Sequence, residues 1–373
     1  MRPTPGLIGR RRVLSGTLVA ATLSLVTAAP GLVAANSKPF LNMLPMQTQV
    51  ASTVPANGDV NPYGMAVVPW STGALVKGDV LISNFNAASN LQGTGTTIDQ
   101  IAPNGTFHLF ATVMAGDVAG RCPGGVGLTT ALVALRSGWV IVGSLPTSDG
   151  TSATAMAGCL IVLDRWGHVS ATIHGGPING PWDMTAWDGG STAVLFVTNV
   201  LNGTVAANGN TVNRGTVVRI DLATSGPKPA VTSETVIGSG FPERTDPGAL
   251  VIGPTGVALG DNGTLYVADT LDNRIAAISD AVSRTTASHK GMTVSMNGSL
   301  NMPLGLAIAP NDDILAVNAG DGNGVEITPS GHQTVTRMLD AAGAGSLFGL
   351  AVAPGGKGLY FVADDSNTLQ LLH

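Results

Sequence analysis

The 373-residue chain holds 50 Gly and 22 Pro, with only 11% charged residues and 4% aromatics, where about a quarter charged is usual for a soluble domain. Its formal net charge is −5, and no Lys/Arg cluster follows the N-terminal segment, which excludes the electrostatic footprint of a nucleic-acid binder. The abundance of Gly, Asn, Thr and Pro predicts short strands joined by frequent turns.

In chain order, Arg10-Arg11-Arg12 precede an uncharged stretch from Val13 to Ala29, broken by Pro30-Gly31 and followed by the small residues Ala34-Ala35. This pattern predicts an export signal over 1–35, resembling a twin-arginine signal and removed after Ala35. The expected location is periplasmic or secreted. No later stretch reaches the ~20 apolar residues of a spanning helix, so no membrane span is expected once the signal is gone. Next comes "PFLNMLPMQTQVASTV" (39–54), which carries no repeat signature of its own.

From residue 62 a unit recurs: Pro, any residue, Gly, apolar, small, apolar. Its six copies start at Pro62, Pro123, Pro181, Pro254, Pro303 and Leu347, with Asp183 standing at the Gly position of the third. Each is followed by a second apolar run ending in a polar residue: Asn84, Ser144, Asn199, Asp269, Asn318 and Asp364. Hairpins complete the unit, clearest in "IDQIAPNGTFHLF", "LIVLDRWGHVSATI" and "VEITPSGHQTVTRM", whose turns carry Pro, Asn and Gly. Six units of four antiparallel strands predict an all-β, six-bladed β-propeller over 36–373, with about 56 residues per blade. The last unit stops after three strands, so a strand from 39–54 is expected to close the ring and remove its open edges. Cys122 and Cys159 both fall in the second unit; a single bridge and a pair of buried free thiols are both compatible with that placement.

The motifs "P-x-G-[LMV]-A" and "LYVAD…N-R-I" resemble those of the NHL-repeat family, within the gluconolactonase-like six-bladed propellers. The family contains hydrolases, lyases and binding scaffolds, so the resemblance implies a fold and leaves the chemistry open. Gluconolactonase-type relatives carry metal-ligating Asn and Asp at the x position of the inner-strand motif, with a Glu in the first blade. Here those positions read Tyr63, Gly124, Trp182, Thr255, Leu304 and Phe348, which argues against a lactonase of that type.

If the inner strand descends from the motif and the second strand climbs back, the six polar residues return to one mouth of the channel. Two roles are open to Asn84, Asn199, Asp269, Asn318 and Asp364: capping the following turns, or an oxygen ring for a hard cation such as Ca²⁺. The same mouth receives the long loops 85–97, 145–158 and 200–215 of blades one to three. Tyr63, Trp182 and Phe348 offer aromatic faces for a flat ligand or plug the channel as core. His174, on the connection leading to Asp183, forms with it a candidate acid–base pair. The leading expectation is an exported scaffold that binds a small molecule or protein partner through the long-loop face. The alternative is a metal-assisted lyase or hydrolase at that mouth.

Overall fold

The computed structural model describes residues 38–373, and they form the predicted six-bladed propeller. The expected export signal at 1–35 lies outside the described residues. The innermost strands are Val60–Val67, Leu128–Ala134, Pro181–Asp188, Pro254–Leu259, Pro303–Ile308 and Leu347–Val352. Each pairs antiparallel with a second strand, and two more follow outward. Blade three departs from this plan: its fourth strand, Ala230–Asp246, is long, and Leu250–Ile252 adds a fifth. The stretch between blades three and four, 230–252, is therefore largely strand.

Ring closure follows the expectation. Gln47–Ser52 pairs with Thr368–Leu372, from Gln47 opposite Leu372 to Ser52 opposite Thr368. Just before it, the 3₁₀ turn Phe40–Met43 docks on blade five. Glu326 accepts the backbone N–H groups of Phe40 and Leu41, at 2.6 and 2.8 Å. Phe40, Leu41 and Leu44 are buried with Leu315, Phe361 and Leu372 of blades five and six. The closing segment is thus clamped at both ends.

Between blades, second and third strands bury apolar side chains against the next blade's sheet, as with Leu81, Ile98, Leu132, Val142 and Ile161 between blades one and two. The Gly of the repeat has a steric cause. A Cβ on Gly256 would stand 2.0 Å from the Leu304 carbonyl oxygen, and one on Gly305 would stand 2.1 Å from that of Phe348. The inner strands converge on the axis too closely for a side chain there.

Blade two corrects the sequence reading. The copy placed at Pro123–Leu128 is not the inner strand, which begins at Leu128, where Leu128 pairs with Ser144. A Cβ on Gly64 would meet the carbonyl oxygens of Thr130 and Thr129 at 2.7 and 3.0 Å. Thr129–Thr130 thus hold the x position assigned to Gly124, with "TTAL" replacing the Pro-x-Gly unit. Pro123–Gly124 lie instead in the incoming loop.

The structure also settles the cysteines. Cys122 and Cys159 form a disulfide, with Cα atoms 5.4 Å apart and a sequence separation of 37. It ties that incoming loop to the first residue of the blade's third strand, Cys159–Leu163. A loop of this length predicts about 4 kcal/mol of stabilisation from restriction of the unfolded chain. The Cys122→Ser/Cys159→Ser variant should therefore fold but unfold at markedly lower urea, and an unchanged midpoint would contradict this role.

Candidate functional site

The six polar strand ends do return to one rim. Asn84 lies opposite Pro62, Ser144 opposite Leu128, Asn199 opposite Pro181, Asp269 opposite Pro254 and Asn318 opposite Pro303. Asp364 directly follows Ala363, the partner of Leu347. We call this end of the channel the upper rim and the opposite end the lower face.

Many of their polar atoms are engaged in the loops and strands around them, while Asn84 Oδ1, Asp269 Oδ1 and Asp364 Oδ1 are buried without a partner. Asn84 Nδ2 donates to Thr97 Oγ1 and Asp99 Oδ2. Asn199 Oδ1 accepts the N–H groups of Asn179 and Gly180, and its Nδ2 donates to the Pro177 carbonyl. Asn318 accepts from the Asn301 N–H and donates to the Ser299 carbonyl and Asp321. Asp269 Oδ2 takes both Nε and Nη2 of Arg274, at 3.0 and 2.6 Å. Arg274 reaches on to Thr293 Oγ1 and the Lys290 carbonyl, joining the outer strands of blade four. Burial pushes the Asp269 carboxyl up to about 6 against the pull of Arg274. Asp364 rises to about 7, first by burial and then through the neighbouring Asp365. Asn199 and Asn318 thus tie down the connections that lead into their blades, while Asn84 and Asp269 bond side chains of their own blades.

The acidic rim residues, Asp269 and Asp364, stand on blades four and six. No cluster of three or more His, Cys, Asp or Glu is placed to hold a metal ion among the described residues. Of the x positions Tyr63 and the Thr residues carry side-chain oxygen, and Thr255 Oγ1 lies 2.6 Å from Thr270 Oγ1, which donates in turn to the Pro303 carbonyl.

The axis itself is plugged at this end. Tyr63 stacks on Phe348 with ring centroids 3.7 Å apart and on Phe85 at 4.6 Å. Trp182 donates its indole N–H to the Val251 carbonyl. These rings are buried with Leu145, Val200 and Leu304. The plug draws on x residues (Tyr63, Trp182, Leu304, Phe348) and on the residues after the polar strand ends of blades one to three (Phe85, Leu145, Val200). Tyr63, Trp182 and Phe348, offered above as ligand-stacking faces, are correspondingly core. The long loops of blades one and two lie over this end and bond to each other and to the turn at 246–247. Gln92 Nε2 donates to the Pro247 carbonyl, Thr147 Oγ1 to the Gln92 carbonyl and Ser152 Oγ to the Asp246 carbonyl. A cleft of about 580 Å³ remains between 150–153, 205–209 and 245–247.

The channel opens instead on the lower face. A cavity of about 760 Å³ extends from the plug to the lower ends of the inner strands, walled by residues such as Met65, Leu132, Ala186, Val257, Ala307 and Ala351. Asp183 lies at its inner end. In the third copy the carboxylate replaces the Gly and bridges blades: its Oδ2 accepts the Val257 N–H at 3.0 Å, and its own N–H donates to Thr198 Oγ1. Burial pushes its carboxyl up to about 7, against the opposing effect of the Val257 and Met184 N–H groups. His174 is exposed beyond the outer strand Val169–Ile173 and makes no hydrogen bond to Asp183. The expected acid–base pair is not assembled. The lower mouth was missed by the sequence reading, although Trp70, Trp139, Trp166 and Trp187, set in or beside its hairpin turns, were a readable signal.

No family model matches the chain, and no curated protein matches it. Solved structures do. A gluconolactonase from Xanthomonas campestris is 12% identical, covering 87% of this chain and 88% of that one with a TM-score of 0.54. A calcium-binding protein, regucalcin, from Agrobacterium tumefaciens is 11% identical over 86% and 92%, with a TM-score of 0.51. An inactive variant of virginiamycin B lyase from Staphylococcus aureus, with quinupristin, is 16% identical over 88% and 85%, with a TM-score of 0.50. At these identities the likeness is one of fold.

The position of Asp183 yields a pH prediction. Its carboxyl binds a proton more tightly in the folded chain (about 7) than at its ordinary value of 3.8. Its stabilising contribution is complete below that ordinary value and lost as pH rises through 7. Asp183→Asn keeps an oxygen for the Val257 N–H and removes the ionisation. Relative to wild type, its melting temperature should climb between pH 4 and 8 and at least equal wild type at pH 8. A difference independent of pH would contradict the assignment.

Proposed function

We propose that the chain is an exported, NHL-like propeller that binds a small molecule in the lower vestibule of its channel. The observation that carries this reading is the one-sided channel: plugged by aromatic rings above, open below over about 760 Å³. That volume lies in the range of small-molecule pockets, which combine apolar walls with a few placed polar groups. Asp183 supplies one such group at the deep end, and Arg136, Asp188 and Asp261 stand at the lower ends of the walls.

Binding is favoured over turnover because Asp183 stands alone at that depth. Asp188, five residues along the same strand, is roughly 17 Å away at about 3.3 Å per residue. That is beyond the reach of direct proton transfer with a group at Asp183. A lyase or hydrolase would need a second titratable group beside the first.

A second reading, a protein partner on the upper face, rests on the cleft between the cross-bonded loops of blades two and three. Capture of a partner by wild type and its loss in an Ala153→Glu/Val205→Glu variant would favour it.

The vestibule reading is tested by thermal shift against a panel of sugars, sugar lactones and small organic acids. A ligand at a hundred times its Kd stabilises by about 2.7 kcal/mol. At least one compound should raise the melting temperature of wild type and leave that of Ala307→Trp, which fills the vestibule, unmoved. Equal shifts in both proteins would remove the vestibule as the site, and hydrolysis of a lactone by wild type but not by Asp183→Asn would replace binding with catalysis.

A further inference from the structure

Four of the five tryptophans lie at the lower end of the molecule, in or beside turns of blades one to three; the fifth, Trp182, is in the plug. Trp70, Trp166 and Trp187 are 60%, 55% and 43% exposed, in a chain where aromatics make up only 4%. Single exposed apolar residues need no explanation, but large exposed rings gathered on one face mark an interaction surface.

Two of these rings belong to a cleft separate from the axial vestibule. Four hairpin turns of blades two and three, at 137–139, 164–166, 190–191 and 224–227, enclose about 660 Å³. Trp139 is half-buried, and its Nε1 donates to the Thr224 carbonyl at 3.3 Å, which sets the plane of the ring. Trp166 is presented by a tight turn. Asp164 Oδ1 accepts the N–H groups of Trp166 and His168, at 2.8 and 3.0 Å, so the carboxylate positions the turn beneath the indole. Between the rings the lining is hydroxyl-bearing: Ser137, Ser170, Ser191 and Ser225. Ser137 Oγ is shielded from solvent and has no hydrogen-bond partner, a state that protein side chains rarely leave unresolved. The Arg165 guanidinium, in the same lining, makes no ion pair among the described residues.

We propose that this cleft between blades two and three is a saccharide-binding site, with the Trp166 indole as its stacking platform. A pyranose has an apolar C–H face and a rim of hydroxyls. The cleft offers the reciprocal set: fixed indole faces, small hydroxyls at the edge, and one carboxylate balanced by one guanidinium. The balance of charge fits a neutral ligand. It also disfavours a membrane surface as the occupant. Within the cleft lining Asp164 offsets Arg165, so the pocket itself offers no net positive charge to anionic headgroups.

The test is isothermal titration of the wild-type protein with cello-, chito-, malto- and mannooligosaccharides, alongside sedimentation with zwitterionic and anionic vesicles. At least one oligosaccharide class should bind. Trp166→Ala should weaken it about tenfold or more without changing the melting temperature, whereas Trp70→Ala, outside the cleft, should leave it intact. Binding should also survive Ala307→Trp, so this site and the vestibule stand or fall separately. The proposal is overturned if no class binds, if Trp166→Ala binds as wild type does, or if Trp166 is needed only for vesicle binding.

Discussion

Tyr63 and Phe348 meet face to face near the axis, with Phe85 stacked on the far side of Tyr63 and Trp182 buried in the same cluster. Such rings bury large apolar areas, and truncating one in a core costs about 3–5 kcal/mol. Inner strands converging on an axis leave a tapering space that must be filled or wetted. Here the upper end is filled, by x residues of the repeat and by the residues after the polar strand ends of blades one to three. Blade four adds Thr255 and Thr270, whose hydroxyls satisfy each other and the Pro303 carbonyl. The consequence is a channel with one mouth.

That asymmetry assigns different work to the two faces. Above the plug, Asn84, Asn199 and Asn318 spend their amides on loop backbones and neighbouring side chains, and Asp269 is held by Arg274. The long loops of blades one and two then bond to each other and to the 246–247 turn of blade three over the closed end. Below the plug the walls are small and apolar, with Asp183 at the deep end as a blade-to-blade bridge that titrates near neutrality. The exposed tryptophans also lie on this side.

The ring architecture was legible because it is written redundantly. The close approach of inner strands demands Gly at 64, 256, 305 and 349, and the open edge of Thr368–Leu372 demands a strand from the N-terminal side. Blade two was misread because its inner strand, "LTTALVA", lacks the Pro-x-Gly unit while a decoy stands a few residues upstream. The repeat of four strands per unit did not show the fifth strand of blade three, because Pro242 and Pro247–Gly248 are turn residues in sequence while Ala230–Asp246 runs as one strand. Site residues fared less well, for a physical reason. Strand alternation says which side chains face the axis, but filling depends on how six of them meet, which no single repeat encodes. Tyr63, Trp182 and Phe348 were placed correctly at the upper end, yet together they close it. His174 and Asp183 are near in sequence, but one ends exposed beyond an outer strand and the other buried at the channel.

The central claim, a channel sealed above and open below, is tested most directly by thiol labelling of two single-site variants with the native disulfide intact. In the vestibule wall, Ala351→Cys should react with a small maleimide at close to the rate of an unfolded control. In the plug, Thr255→Cys should stay protected until the protein unfolds. Rapid labelling at 255 with protection at 351 would reverse the two mouths and contradict the account.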